Sequence, residues 1–223
     1  MASFAKFLGL SFSALLPLIN PLGSALIFLG LVGNAPHFVY RQLARKIAIS
    51  TVLFLAAIEL AGTAMLSFFG ISLPVMEVSG GLVLAAMGWN LLNRQDAEAP
   101  KEKTENVDSG AFGSLQQKIF YPFTFPITAG PGCIVVMVTL SAHASVKGIF
   151  PDIAGHIGIM VAVVLLSIVV YFCYAYAPAI TARISPQTAH GVLRVIAFVL
   201  LCIGVQITWN GVESMLKTVL NLS

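Results

Sequence analysis

Long apolar runs joined by short polar connections dominate this chain. A helix needs about 20 mostly apolar residues to cross a bilayer. Six segments reach that length, at residues 4–32, 45–69, 74–92, 119–141, 155–178 and 190–213. Residues 70–73 form a turn between the second and third segments, and Pro74 is placed to begin the next helix. The pattern predicts an all-α membrane protein with six transmembrane helices.

Composition excludes the main soluble classes of protein. The 223 residues are 58% hydrophobic and 9% charged, with a mean hydropathy of +0.93, whereas soluble chains run near about 45–50% apolar and about 25% charged. No basic stripe is present to neutralise phosphates, so nucleic-acid binding is excluded despite the sequence pI of about 8.8. The three cysteines lie in apolar runs without metal or disulfide spacing, and we expect them to be small buried hydrophobes: Cys133, Cys173 and Cys202.

One hydrophilic connection, residues 94–118, divides the chain into two similar halves. Each half opens with a segment that carries prolines and glycine, Pro17–Gly23 in the first and Pro122–Gly132 in the second. We therefore predict a three-helix repeat over 1–93, a cytoplasmic linker over 94–118 and a second repeat over 119–223. Because three crossings is an odd number, the second copy enters from the opposite side, and inverted repeats with interrupted helices are typical of secondary transporters.

The distribution of lysine and arginine favours an orientation with both termini outside the inner membrane. Cytoplasmic loops collect basic residues, and this orientation places nine of the twelve Lys and Arg inside. A competing geometry folds the two proline segments back as re-entrant hairpins and places ten of the twelve inside. Six full spans are preferred because residues 119–141 are barely long enough to cross once. With re-entrant hairpins the two halves would still be repeats, but they would not be inverted relative to each other.

The proline-glycine segments cannot be unbroken helices. Proline lacks the N–H that a helix needs, and backbone groups freed in hydrocarbon cost several kcal/mol each unless something pairs with them. We expect Gly130 and Gly132 to permit positive φ on both sides of Pro131. Half-helix ends offer dipoles of both signs, which match a zwitterionic amino acid. The predicted binding residues are Asn20, Pro21, Gly23, Thr128, Gly130, Pro131 and Gly132.

Two acids and several histidines lie in or beside the predicted spans. Glu59 lies mid-span, where a charge costs about 2.5–3.5 kcal/mol, and is either a proton or cation coupling site or a neutral carboxyl bonded to a neighbouring helix. Glu77 follows Pro74 and is interpreted as an acid in the first turn of its helix. Three histidines fall in loops or at span ends, where we expect solvent exposure: His37, His143 and His156.

These motifs resemble those of the MarC family of bacterial inner-membrane proteins, over nearly the whole chain. The resemblance rests on Pro17–Gly23, Gly70-Ile71-Ser72, Gly80-Gly81 and Pro126–Gly132. It implies amino-acid traffic, since members are related to small neutral amino acid transporters, and it implies neither drug export nor any residue of established catalytic role. The second half has Gly130 where the first has Asn20, so an asymmetric binding site is expected.

The sequence carries no constellation for enzyme chemistry. Metal, hydrolase, phosphate-loop and dinucleotide motifs are missing, so we predict neither an enzyme nor a cofactor. The predicted function is secondary transport of a small neutral or zwitterionic solute, with the bilayer and a coupling H⁺ or Na⁺ as further partners. Two rival interpretations stay open: a membrane scaffold or assembly factor that transports nothing, and a small-solute channel, for which no charged ring or filter repeat is present.

Overall fold

A computed structural model describes residues 2–33, 35–93, 115–145, 149–182 and 186–220. Within these ranges the regular structure is helical and no strand is present, as the hydrophobic pattern predicts. The charged linker predicted over 94–118 lies outside the described residues for positions 94–114. The same holds for Arg183 and Lys147, whose placement entered the charge count.

Eight α-helices and one segment of wide π-helical turns make up the described part of the chain. The first half contains α1 (Ala2–Ile19), α2 (Pro21–Val32), α3 (His37–Phe68) and α4 (Leu73–Asn93). The second half begins with the wide-turn segment (Ile119–Thr128) and continues with α5 (Pro131–Ala144), α6 (Ile149–Ala175), the short α7 (Ala177–Thr181) and α8 (Pro186–Val219).

Within the described ranges, five stretches are long and apolar enough to cross a membrane: Ser3–Val32, His37–Phe68, Leu73–Asn93, Ile153–Ala175 and Gly191–Val219. A sixth arises if the wide-turn segment and α5, which bend by 71° at their junction, count as one span. Large apolar side chains cover the outside of these helices, among them Leu60, Phe68 and Trp209 with 79%, 84% and 59% of their surface exposed. Such a surface is suited to lipid rather than to water.

The bend between the wide-turn segment and α5, and the far end of α5, lie beside opposite ends of α6. Thr128 in the wide-turn segment contacts Tyr174 in the last turn of α6, whereas Ser145 after α5 contacts His156 near its start. These two α6 residues are 18 positions apart, or about 27 Å along a helix. Since Thr128 stands at the bend and not at the start of the pair, the crossing of the bilayer by the whole pair stays a prediction.

Each half contributes to the packing of the other. The opening helices α1 and α2 pack against α6, the middle helix of the second half, while the wide-turn segment and α5 pack against α3, the middle helix of the first. The closing helices α4 and α8 pack against each other. This reciprocal arrangement is the one that an inverted repeat would produce, and the inversion itself stays a prediction.

Glycines set the close approach of α4 and α8, which run antiparallel. A Cβ added at Gly204 would lie 2.3 Å from the backbone nitrogen of Ala85, and one at Gly88 would lie 2.6 Å from that of Leu201. Small residues therefore allow the two helices to approach closely here. Two amides near these glycines, Asn90 and Gln206, are exposed on the outside of the bundle.

Two predictions about individual side chains are wrong. Of the three cysteines, Cys133 is buried, but Cys173 is half-buried and Cys202 is exposed on the outer face of α8. Glu77 lies beyond the first turn of α4, which begins at Leu73, and is buried against the position of Gly211. An apolar run alone does not show which face of a helix meets lipid and which meets another helix.

Substitution of Gly204 by alanine is expected to destabilise the protein by about 1–3 kcal/mol, because the new methyl group overlaps the backbone of α4. The matched control is Gly9→Ala, since a Cβ there has no atom within 4 Å and is expected to leave stability equal or slightly raised. Thermal unfolding of the two variants in detergent measures the difference. Equal unfolding midpoints would contradict the close α4–α8 contact.

Candidate functional site

The first break in the helices lies at Asn20, between α1 and α2. Its backbone is left-handed, with φ 43° and ψ 65°, a conformation that asparagine adopts more readily than most residues with a side chain. The Asn20 side-chain oxygen accepts a hydrogen bond of 3.1 Å from the backbone N–H of Gly23 and so caps α2. Pro21 occupies the first position of that helix, where its missing N–H costs nothing.

Gly23 makes room for this cap. A Cβ at position 23 would lie 2.2 Å from the side-chain nitrogen of Asn20. Ser24 completes the turn, because its hydroxyl donates to the carbonyl oxygen of Asn20 at 2.9 Å. The first break is therefore a capped helix junction, and the predicted residues Asn20, Pro21 and Gly23 form it together.

Threonine hydroxyls pair with carbonyl groups around the second break. Thr124 donates to the carbonyl of Ile119 at 2.8 Å, and Thr128 donates to that of Phe123 at 2.7 Å. Prolines at positions 122 and 126 supply no N–H of their own, and the backbone N–H of Ala129 reaches back five residues to the carbonyl of Thr124. Side chains thus replace part of the pairing that an unbroken helix would provide.

The backbone at the second break corrects one expectation about glycine. Gly130 has φ −78° and ψ −178°, which is ordinary extended backbone before α5, and among the described residues positive φ occurs at Asn20, Gly33 and Gly70. Gly132 serves packing, because a Cβ there would lie 2.2 Å from Leu84 and 2.9 Å from Leu18. Pro131 begins α5 and is exposed.

The two breaks meet at Tyr174, a residue that the sequence analysis did not single out. The Tyr174 hydroxyl lies 2.8 Å from the hydroxyl of Thr128 and beside the side chain of Ser24. Its ring stacks on Phe28 of α2, with centroids 4.5 Å apart. Asn20, Ser24, Tyr174 and Thr128 therefore form a continuous polar path between the halves, here named the tyrosine junction.

The tyrosine junction is closed and lies toward one end of the helices. Tyr174, Phe28 and Phe123 each have 0% of their surface exposed. Tyr174 stands in the last turn of α6. The two breaks therefore converge near that end of the helix and not at its middle. All four polar members of the junction are uncharged at neutral pH, which suits a solute without net charge.

Glu59 lies elsewhere, so the structure does not bring it to the two breaks. It is buried in α3, and its carboxylate contacts the Nδ1 atom of His156 near the start of α6. The backbone carbonyl of Glu59 accepts a hydrogen bond of 2.9 Å from Ser141 of α5. Solvation of His156 was expected, and this is wrong in part, since the side chain is 31% exposed and paired with the acid. The other two are exposed as expected, His37 and His143.

A cavity of about 710 Å³ adjoins the Glu59–His156 pair. Its polar lining includes Glu59, His156, Ser141 and Ser145, and its walls are mostly apolar side chains of α3 and α6. No group of three His, Cys, Asp or Glu side chains that could hold a metal ion occurs in the part of the chain that the structure describes.

Buried hydroxyls without hydrogen-bond partners lie on the helices between the two polar centres. Thr51 of α3 precedes Glu59 by eight residues, and Ser167 of α6 precedes Tyr174 by seven, so each stands about 10–12 Å along its helix from one of the centres. An orphaned buried hydroxyl costs about 1–3 kcal/mol. The unpartnered hydroxyls in the described residues are Ser11, Thr51, Thr139 and Ser167.

Comparison with known proteins identifies the family to which this chain is similar. The model of the MarC family of integral membrane proteins matches residues 5–216. Similar curated proteins include the inner membrane protein MarC of Salmonella typhimurium, 29% identical over 220 residues, which are 98% of this chain and 99% of the relative. That of Escherichia coli O1:K1 is 27% identical over 222 residues, with the same shares covered. No solved structure matches the chain.

Replacing Asn20 separates the two roles of this residue at the first break. Asn20→Ala loses the cap on α2 and places a methyl group in left-handed backbone, so we expect a loss of about 1–3 kcal/mol in stability. Asn20→Gly loses the cap alone and is expected to cost less than about 1 kcal/mol. Unfolding midpoints in detergent give the order, and a glycine variant less stable than the alanine variant would contradict the assigned backbone conformation.

Proposed function

This chain belongs to the MarC family of integral membrane proteins, and from that premise we propose that it is a secondary transporter of a small neutral solute. The chain is a multi-pass protein of the inner membrane, as its relatives are named. The favoured cargo is a zwitterionic amino acid. Alternating access around the two helix breaks is the proposed mechanism.

The meeting of the two breaks at Tyr174 is the observation that carries this proposal. Prolines and glycines interrupt both opening helices, and the residues beside the two interruptions are joined through one buried hydroxyl. Interrupted helices that meet between two halves of a chain are the usual place for a transporter's substrate. A helix kinked only for packing would need no polar side chains from the opposite half of the protein.

The chemistry available at the junction fits a zwitterion. α2 and α5 both begin at the breaks, and the partial positive charge of a helix N-terminus attracts a carboxylate. Carbonyl groups of Asn20 and Phe123, now bonded to hydroxyls, can instead accept from an ammonium group. Neither Lys, Arg, Asp nor Glu is among the junction residues, so a net charge on the solute would go unbalanced.

Opening of the closed junction is the proposed conformational step. The aromatic rings of Phe28, Phe123 and Tyr174 fill the space between α2 and the wide-turn segment. Separation of these two elements would expose the hydroxyls of Ser24, Thr128 and Tyr174 together. The unpartnered hydroxyls of Ser11, Thr51 and Ser167 would line the continuation of the path toward the opposite side of the membrane.

Glu59 is proposed to couple transport to an ion gradient from a separate position. Because it stands near the far end of α6 from Tyr174, it does not touch the solute at the junction. A buried acid that changes its proton or cation occupancy can shift a helix equilibrium without sharing the substrate site. H⁺ and Na⁺ are both compatible with this carboxylate.

Uptake by purified protein in liposomes tests the proposal. Labelled neutral amino acids are supplied under imposed pH and Na⁺ gradients, and we expect saturable flux of at least one of them above that of empty liposomes. Absence of flux for the whole panel would contradict the amino-acid cargo and favour the scaffold interpretation. Flux that neither saturates nor follows a gradient would identify a channel.

The Tyr174→Phe variant tests the site. It keeps the stacked ring but removes the hydroxyl, so we expect uptake to fall by about two- to tenfold, the equivalent of one neutral hydrogen bond. Tyr171→Phe is the matched control, because it removes a hydroxyl from the same helix about one turn earlier, away from both breaks. Equal loss in the two variants would remove Tyr174 from the proposed path.

A further inference from the structure

A chain of hydrogen bonds leads from the surface to the buried acid Glu59. Ser145, at the end of α5, is exposed, and its hydroxyl lies 3.2 Å from the Nε2 atom of His156. The other ring nitrogen of His156 contacts the carboxylate of Glu59. The exposed fraction of the side chain falls from 31% at His156 to 2% at Glu59, so the chain runs inward from solvent.

Both protonation states of the His156 ring find hydrogen-bond partners here without movement of heavy atoms. When the ring is neutral, Nδ1–H donates to Glu59 and Nε2 accepts from the Ser145 hydroxyl. When the ring is protonated, Nε2–H donates to the Ser145 oxygen, and the serine hydroxyl turns to the carbonyl of Ser141, 3.0 Å away. A hydroxyl hydrogen rotates freely enough to serve either state.

From this geometry we propose that Glu59 and His156 form one proton-binding unit, which takes its proton from the membrane face bearing both chain termini. The inference rests on the proposed transport function and selects H⁺ as the coupling ion. Net charge of the unit changes from −1 to 0 when one proton enters through Nε2, and the proton is shared between the imidazole and the carboxylate. In a site of low dielectric the neutral unit is easier to bury than the charged one.

The titratable side chains described on neighbouring helices have contacts other than Glu59 and His156. Glu77 of α4 has His143 of α5 as its charged neighbour, and the His143 ring bonds to the carbonyl of Thr139. On α1, the Lys6 nitrogen lies 6.0 Å from the centroid of Phe7, and the Phe7 ring packs against Gly155 of α6. Among the described side chains, His156 is the titratable group in contact with Glu59.

α6 connects the proton-binding unit to the tyrosine junction. The same helix carries His156 near its start and Tyr174 in its last turn. Protonation of His156 turns its hydrogen bond to Glu59 into an ion pair, which strengthens the attraction that holds α6 to α3 at one end. A resulting shift of α6 moves the Tyr174 hydroxyl at the other end. Proton binding thereby changes the relative stability of the closed and open junction, which is what coupling requires.

The transport arm of the test uses Glu59→Gln and His156→Gln. We expect both variants to lose accumulation of solute driven by a pH gradient while they retain counterflow, the exchange of labelled for unlabelled solute without a gradient. His143→Gln is the matched control, an exposed histidine at the same end of the bundle, and is expected to keep both activities. The proposal would be overturned if either Glu59→Gln or His156→Gln accumulated solute under a pH gradient to the wild-type level.

A spectroscopic arm is independent of transport. The chain has four histidines, so nitrogen-15 labelling of histidine in liposome-embedded protein gives few signals, and the one that His156→Gln removes is assigned to the unit. We expect this signal to change with pH and Glu59→Gln to alter that response, while His143→Gln leaves it unchanged. A His156 signal insensitive to pH, or to loss of the acid, would overturn the proposal.

The two arms separate this inference from the proposed function. If wild-type protein moves no solute, the transport proposal fails, and the nitrogen-15 signals still decide whether the Glu59–His156 unit binds a proton. If solute moves but the signals do not respond to pH, transport stands and the proton-binding unit is refuted. Failure of Glu59→Gln to fold would leave His156→Gln, at a half-exposed position, to decide the outcome.

Discussion

Unpaired backbone in hydrocarbon is the constraint on which this structure depends. Helices satisfy their own N–H and C=O groups, so each deliberate interruption must find other partners or a cavity. Here the Asn20 side chain caps α2, and threonine hydroxyls pair with carbonyls of the wide-turn segment. Buried polar groups thus gather at two places in an otherwise apolar bundle, and the tertiary fold joins them through Tyr174.

The two polar centres of the molecule occupy opposite ends of one helix. α6 packs against α1, α2 and α3 along its length, so a displacement at His156 is transmitted to Tyr174 through a rigid element rather than through a loop. In the proposed mechanism the ion site and the solute site are separate. The junction then stays uncharged for a neutral solute, while the charge proposed for coupling lies near the surface.

Helix packing explains why the α4–α8 pair differs from the rest of the bundle. Glycines at positions 81, 88 and 204 bring the two backbones together, and the outer faces of both helices remain covered with exposed apolar side chains. Close contact gives this pair its stability from van der Waals packing, since lipid offers no hydrophobic driving force. The opening and middle helices, which carry the polar centres, form the separate reciprocal arrangement between the halves.

The sequence by itself determined the class, the spans and the positions of the breaks, because hydrophobic length and proline chemistry act locally along the chain. It also marked Asn20, Gly23, Thr128 and Glu59 as polar or small residues in unusual places. Only the tertiary structure decided which of these meet. Ser24, Tyr174 and His156 carry no local signal, since a serine, a tyrosine or a histidine in a span can face lipid, solvent or protein. Contacts across 46 residues between Thr128 and Tyr174, and across 97 between Glu59 and His156, arise from helix packing, which no local pattern encodes.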